Sequence, residues 1–152
     1  MTPPSSPSPK RVFVTGFGPF LKVKRNPSGA LAKRLAQQPP ARVEVEAIVL
    51  PVAFEEVGEV CRDALQRLAE RGWRPDLLFG MGVQRKRWFR LEERARADLT
   101  AKRPDVRGFK AEGMAPLPGG DLETEIDLEA LRPHLNHRAL EPSRLSGDAG
   151  GY

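Results

Sequence analysis

The chain has 152 residues, a formal net charge of +5 and a mean hydropathy of −0.46, which suit one rather polar globular domain with a hydrophobic core. Its single cysteine excludes an internal disulfide, and no apolar run approaches the ~20 residues that span a bilayer. Since the N-terminus also lacks the apolar segment of a secretory signal, we expect a cytoplasmic protein with no membrane partner.

The first half of the chain predicts the alternating strands and helices of an α/β fold. Residues 1–10 are rich in Pro and Ser and are expected to form a disordered tail, so that the folded domain covers 11–152. Hydrophobic periodicity predicts three strands and two helices, in the order strand 12–15, helix 28–37, strand 43–50, helix 53–71 and strand 75–80. Strands joined by helices imply a three-layer α/β/α sandwich with a mostly parallel central sheet.

The second half of the chain has a less regular pattern. Partial alternation predicts a strand within 88–97, and the Pro, Gly and charged residues of 101–120 predict a long surface loop. A helix is expected over 127–135, capped by Asp127, and a further strand begins at 144. Loop-forming residues follow that strand directly, so we expect the domain to be truncated on its C-terminal side.

The loop after the first strand carries two phenylalanines, Phe17 and Phe20, where polar residues are more usual. Open α/β sheets bind ligands at the carboxyl ends of their strands, so these aromatic rings suggest a pocket floor. Ordinary core packing is the alternative for both rings, and the residues alone favour it. The Gly-Phe-Gly-Pro-Phe segment is not typical of a dinucleotide-binding loop. It lacks the third glycine, and Pro19 has no amide to offer a pyrophosphate.

Other residues with reactive or ligating side chains have simpler explanations. Cys61 lies on the apolar stripe of a predicted helix, where a thiol is inert. His134 and His137 are three residues apart but have no third ligand at useful spacing, so the sequence predicts no metal site. Glu92 and Glu93 allow two readings: one carboxylate orients a histidine base, or both balance neighbouring arginines.

The segment 84–110 holds ten Lys or Arg and four acids. Such a segment is typical either of a solvated surface loop or of a module that binds nucleic acid. We favour the surface loop and expect no nucleic-acid partner. The alternative predicts binding that weakens steeply with salt.

Five segments together resemble the pyroglutamyl peptidase I family, the pyrrolidone-carboxylate peptidases. The opening strand leads into TGFGPF at 15–20 and then NPS at 26–28, which is the most specific part of the resemblance. Further segments that are similar to the family are LPVAF at 50–54, LEERA at 91–95 and DAGGY at 148–152. The resemblance covers most of 11–152.

The resemblance implies a thiol omega-peptidase that removes N-terminal pyroglutamate from peptides without a cofactor or metal. It implies that Phe17 and Phe20 sandwich the flat lactam ring, that Asn26 fixes the surrounding loop, and that Glu92 orients the histidine base. The nucleophilic cysteine would fall two residues after Tyr152 and the histidine further on, so we expect the 152 residues alone to be inactive. Family members form homo-oligomers, which leaves a dimer or tetramer open.

Three residues depart from the family pattern. Met81 stands where a glutamine contacts the lactam, Glu93 stands where an arginine is usual, and Ala97 replaces an asparagine. These departures alter the lactam pocket. The alternative is therefore a non-catalytic protein of the same fold that binds a small molecule or a peptide.

Overall fold

The computed structural model describes residues 8–84, 88–98, 100–101, 103–138 and 143–147. These residues form two compact units, one made of 8–83 with 105–107 and the other of the described residues within 84–104 and 108–147. The first unit contains β1 (Lys10–Phe17), α1 (Pro27–Gln37), β2 (Val43–Leu50), α2 (Phe54–Glu70) and β3 (Leu77–Gly80). The second contains β4 (Phe89–Glu92), β5 (Arg94–Ala95), β6 (Leu122–Glu123), α3 (Leu128–Arg138) and β7 (Ser143–Ser146).

A parallel sheet with the strand order β2-β1-β3 forms the centre of the first unit. All eight residues of β1 pair with β2, and Val14 lies between Ala47 of β2 and Phe79 of β3. Both connections contain a helix, as parallel neighbours require. The strand-helix-strand-helix-strand order predicted for this part of the chain is confirmed.

The two helices of the first unit cover opposite faces of this sheet. Phe13 of β1 packs against Ala64 and Leu68 of α2. Gly16 lies three residues further along the strand, and a Cβ added there would overlap the Ser28 carbonyl of α1. Since successive strand residues point to alternate faces, Phe13 and Gly16 face opposite layers. The first unit therefore has the predicted three layers.

Phe13 is the centre of the hydrophobic core on the α2 side of the sheet. Its side chain is fully buried, which contributes roughly 1.5–3 kcal/mol relative to exposure. Half-buried side chains pack around it and the two α2 residues; they are Ile48, Cys61, Leu65 and Trp73. This core fixes α2 on the sheet, and with it the turn that joins β2 to α2.

The N-terminus of α2 is capped by a residue from far along the chain. Ala53 occupies the capping position and has no side chain that could accept a hydrogen bond. The buried Asp105 takes this role, because its Oδ2 accepts a 2.9 Å bond from the Phe54 amide. Its Oδ1 accepts from the Arg107 amide at 2.8 Å, and Arg107 forms an ion pair with Glu56 of α2.

The second unit has two small sheets and one helix. β4 pairs with β7 in parallel, and β5 pairs with β6 in antiparallel. The predicted strand over 88–97 is thus divided between two sheets, with Glu93 at the division. Asp127 caps α3 as predicted, since its Oδ1 accepts a 2.9 Å bond from the Ala130 amide. In neither unit is any described helix both long and apolar enough to cross a membrane.

Candidate functional site

Asn26 ties together the two ends of the loop that follows β1. Its side chain is buried, its Nδ2 donates a 3.0 Å hydrogen bond to the Gly18 carbonyl, and its Oδ1 accepts from the Ser28 amide at 3.1 Å. The Ser28 hydroxyl donates to the same Oδ1 at 2.8 Å and accepts from the Phe17 amide at 3.0 Å. One buried amide therefore caps α1 and closes the loop that bears the phenylalanines.

The strand end and the helix start approach each other closely at two glycines. A Cβ on Gly29 would lie 2.5 Å from the Phe17 carbonyl oxygen, and Gly16 has no room for a Cβ either. Only glycine allows two backbones to come this near. The N-terminus of α1 is therefore packed against the backbone of Phe17.

The tip of the loop is a tight turn. Phe20 and Val23 form an antiparallel bridge with N···O distances of 3.2 and 2.8 Å. Between them Leu21 has φ of +47°, in the left-handed region, and its side chain is 57% exposed. At the other end of the loop, the Gly18 amide donates to the Leu50 carbonyl at 2.9 Å. The backbone is therefore held at both ends and at the tip.

Phe17 at the end of β1 and Phe20 and Asn26 in the loop that follows thus belong to one short segment of the first unit. Both phenylalanines are half-buried at the carboxyl end of β1, where open sheets bind ligands. Their contact with a lactam ring stays a prediction. The sequence analysis did not identify the Ser28 hydroxyl as part of the loop closure. The available signal was the position of Ser28 in the NPS motif, at the first turn of the predicted helix.

Glu92 lies in the second unit, at the last residue of β4. Its backbone pairs with Ser146 of β7, and its Oε1 lies 3.1 Å from the Arg90 Nε. The side chain is 31% exposed. To orient a histidine, this carboxylate would have to accept a hydrogen bond from the imidazole. That role stays a prediction.

The three departures from the family pattern have ordinary structural settings. Met81 extends the β1–β3 ladder, because its amide donates to the Thr15 carbonyl at 2.9 Å. Ala97 is buried, and its amide donates to Asp121 Oδ1 at 2.9 Å. Glu93 is exposed between β4 and β5. None of the three side chains carries an amide that could bind a lactam.

Cys61 and the histidines have no catalytic setting in the described residues. Cys61 is half-buried on α2, and burial raises the pKa of its thiol, an effect that Arg62 only partly offsets. A thiol that stays protonated is a poor nucleophile. His134 is exposed on α3, while the side chain of His137 lies outside the described residues. No described group of three or more His, Cys, Asp or Glu could hold a metal ion.

The basic segment 84–110 is largely neutralised where the structure describes it. Residues 85–87, 99 and 102 lie outside the description. Five described cations of the segment form ion pairs with carboxylates: Arg90 with Glu92, Arg94 with Asp121 and Glu123, Arg96 with Asp98, Arg107 with Glu56, and Lys110 with Glu112. This pairing supports the reading as a solvated surface.

Comparisons with known proteins all identify one family. The family model for pyroglutamyl peptidase matches residues 10–152. A pyrrolidone-carboxylate peptidase of Saccharolobus islandicus is 31% identical over 144 residues, which cover 93% of this chain and 66% of that relative. The chain thus spans about two thirds of the length of this curated relative.

Solved structures give the same result for the fold. A mutant pyrrolidone carboxyl peptidase from Pyrococcus furiosus superposes with a TM-score of 0.82 at 29% identity, covering 93% of this chain and 67% of that one. The pyrrolidone carboxyl peptidase of Fervidobacterium islandicum has a TM-score of 0.81 at 26% identity, covering 94% of this chain and 67% of that one.

Proposed function

The chain belongs to the pyroglutamyl peptidase family, and we propose that it provides the substrate-binding loop and the catalytic glutamate of a cysteine peptidase that removes N-terminal pyroglutamate from peptides. The observation that carries the proposal is the aromatic loop closed by Asn26 at the carboxyl end of β1. A loop that is already fixed loses little conformational entropy when substrate binds.

Phe17 and Phe20 are the proposed ring-binding residues. The pyroglutamyl lactam is flat and neutral, so an aromatic slot can desolvate its faces without leaving a buried charge unpaired. Backbone amides and carbonyls that face the ring edge would then fix its orientation. We propose that Asn26 acts indirectly, by holding the backbone that bears both rings.

Glu92 is the proposed orienting carboxylate. In the mechanism that the family resemblance implies, a histidine takes the proton of the cysteine thiol and the thiolate attacks the amide carbonyl. The imidazolium then gives the proton to the amine as the C–N bond breaks, and water hydrolyses the thioester that remains. The glutamate holds the imidazole in the correct tautomer and stabilises its charged form. The half-buried, protonated Cys61 does not suit the role of nucleophile, and we propose that the cysteine and the histidine follow Tyr152 in sequence.

A second candidate is a non-catalytic binding protein with the same pocket. Met81 and Ala97 favour it, because the side chains that the family uses at these places are amides. In this case the aromatic loop would still hold a flat, neutral ring. The two candidates differ in turnover and not in binding.

Hydrolysis of a fluorogenic pyroglutamyl amide separates the candidates. The 152-residue chain is tested beside a version extended through the downstream reading frame, with Glu92→Gln in the extended form and Glu93→Gln as the matched control. Activity in the extended form that falls at least tenfold with Glu92→Gln but not with Glu93→Gln supports the peptidase. A folded extended form that binds the amide without turnover supports the binding protein. Activity in the 152-residue chain would contradict the proposed mechanism and return attention to Cys61.

The cytoplasmic location and the homo-oligomeric state stay predictions. Fractionation of the source cells tests the first, and light scattering of the purified chain at several concentrations tests the second. Neither result alters the chemistry proposed for the aromatic loop.

A further inference from the structure

The aromatic loop carries three cations beside its phenylalanines. Lys22, Lys24 and Arg25 occupy three of the four positions between Leu21 and Asn26, and all three are exposed. The first 43 residues contain eight Lys or Arg and no Asp or Glu, so the sequence supplies no local carboxylate to neutralise them. The loop therefore has a strongly positive tip.

These cations differ from those of the basic segment 84–110. Five described cations of that segment have carboxylate partners, whereas Lys22, Lys24 and Arg25 take part in none of the ion pairs found among the described residues. Within the first unit, Arg11 at the opposite end of β1 is also paired, with Glu44 at 3.1 Å. The field of the loop tip is thus open to a ligand.

The cations are also held close to the predicted ring-binding residues. The Phe20–Val23 bridge fixes the turn that contains Lys22, and the bond from Asn26 to Gly18 closes the loop just after Arg25. A peptide chain extends by at most ~3.6 Å per residue, so the two residues after a ring-bound pyroglutamate reach only ~7 Å from it. The three cations follow Phe20 by two to five residues on this closed loop, so we expect them to be within reach of those ligand residues.

We propose that Lys22, Lys24 and Arg25 form a binding surface for acidic residues that follow the pyroglutamyl group, so that the favoured ligands are pyroglutamyl peptides with Asp or Glu at the next two positions. The inference rests on the proposed function and defines its substrate class. Exposed pairs are individually weak, so three cations give a preference of roughly three- to tenfold at low salt. The preference falls as salt screens the exposed charges.

The test measures affinity by NMR titration, with the 152-residue chain and with the version extended through the downstream reading frame. The ligands are three amidated tripeptides that begin with pyroglutamate and continue with two Glu, two Gln or two Lys. The inference expects the affinity to be highest for the Glu peptide, lower for the Gln peptide and lowest for the Lys peptide at 20 mM salt. The differences in affinity should shrink at 500 mM salt. Equal affinity for all three overturns the inference and leaves the proposed function standing. Binding of none, in either form of the chain, overturns both.

A matched pair of variants locates the effect. The double variant Lys22→Gln, Lys24→Gln removes two charges from the loop. The control, Lys33→Gln with Arg34→Gln, removes two exposed charges from α1, about 10 Å along the helix from its first residue. The inference expects the first pair to abolish most of the preference for the acidic peptide and the second pair to retain it. An equal loss in both pairs would mean that net charge alone acts, which overturns the assignment to the loop. Unchanged affinity for the Gln peptide shows that the lactam site of each variant is intact.

Discussion

Asn26 closes the aromatic loop onto Gly18, since its Nδ2 donates a 3.0 Å hydrogen bond to the Gly18 carbonyl while its Oδ1 accepts from the Ser28 amide. Asn26→Ala removes the cap of α1 and the loop closure together. We expect a loss of about 1–3 kcal/mol in the free energy of unfolding and a weaker affinity for pyroglutamyl amides. Urea denaturation and ligand titration measure the two effects.

Asn26→Asp separates capping from closure. The carboxylate still accepts from the Ser28 amide, but it has no donor for the Gly18 carbonyl and repels it. We expect a smaller loss of stability than in Asn26→Ala, with an equal loss of affinity. If Asn26→Asp binds the amide as well as wild type, loop closure does not support the pocket.

Gly16→Ala tests the close approach of β1 and α1. The added Cβ overlaps the Ser28 backbone, which cannot move without displacing α1. We expect a loss of about 3 kcal/mol or more, at the upper end of the cost of overpacking. Gly18→Ala is the matched control, because a Cβ there meets the Leu50 carbonyl oxygen at 3.7 Å, an ordinary contact. A similar urea midpoint for both variants would show that the strand–helix contact is not tight in solution.

Local pattern was enough to predict the layered part of the fold. The predicted strand over 43–50 matches β2 to the residue, because alternation and then a wholly apolar run end at Pro51. The predicted strand over 12–15 was too short, since β1 pairs along all eight residues from Lys10 to Phe17. That length depends on the partner strand, which periodicity within β1 does not reveal.

Long-range contacts were beyond the sequence. The strand predicted over 88–97 is divided because Glu93 bonds in two directions: its amide donates to Ser146 and its carbonyl accepts from the Thr124 amide. Asp105 caps a helix 51 residues earlier, in a segment whose composition predicts only a surface loop. The pattern drew attention to Phe17 and Phe20 as aromatic residues after the first strand, whereas the resemblance alone pointed to Asn26 and gave the two rings a role in binding.

Asp105→Ala tests the capping of α2 from a distance. The change leaves the Phe54 amide without its carboxylate partner at the start of the helix. We expect a loss of about 1–2 kcal/mol in the free energy of unfolding. Asp98→Ala is the control, since among the described residues that exposed carboxylate bonds to near neighbours, Arg96 and Thr100, and its loss should change stability by less than ~0.5 kcal/mol. Equal urea midpoints for the two variants would contradict the capping role.

The Glu56–Arg107 ion pair predicts a pH dependence of stability. The hydrogen bond that Glu56 accepts from Arg107 lowers the pKa of the Glu56 carboxyl. A carboxyl whose pKa is lower in the folded state stabilises the fold above its unfolded pKa, and this contribution is lost as the pH falls through the folded pKa. We expect Glu56→Gln to be less stable than wild type at pH 7 and equal to it at pH 2.5. Thermal denaturation at several pH values measures this, with Glu55→Gln as a control that removes a charge from the same helical turn. If Glu56→Gln is still less stable than wild type at pH 2.5, the loss of stability comes from packing and not from the ion pair.

Leu21→Asn tests the left-handed turn at the tip of the aromatic loop. Leucine at φ of +47° is strained, whereas asparagine tolerates this region, and the exposed side chain has little packing to lose. We expect Leu21→Asn to raise the free energy of unfolding by up to ~1 kcal/mol. Leu31→Asn is the control, because that leucine is also exposed but lies in α1, where asparagine is a poorer helix former and stability should fall slightly. If both variants lose stability in urea, the Leu21 side chain makes a favourable contact that outweighs the strain.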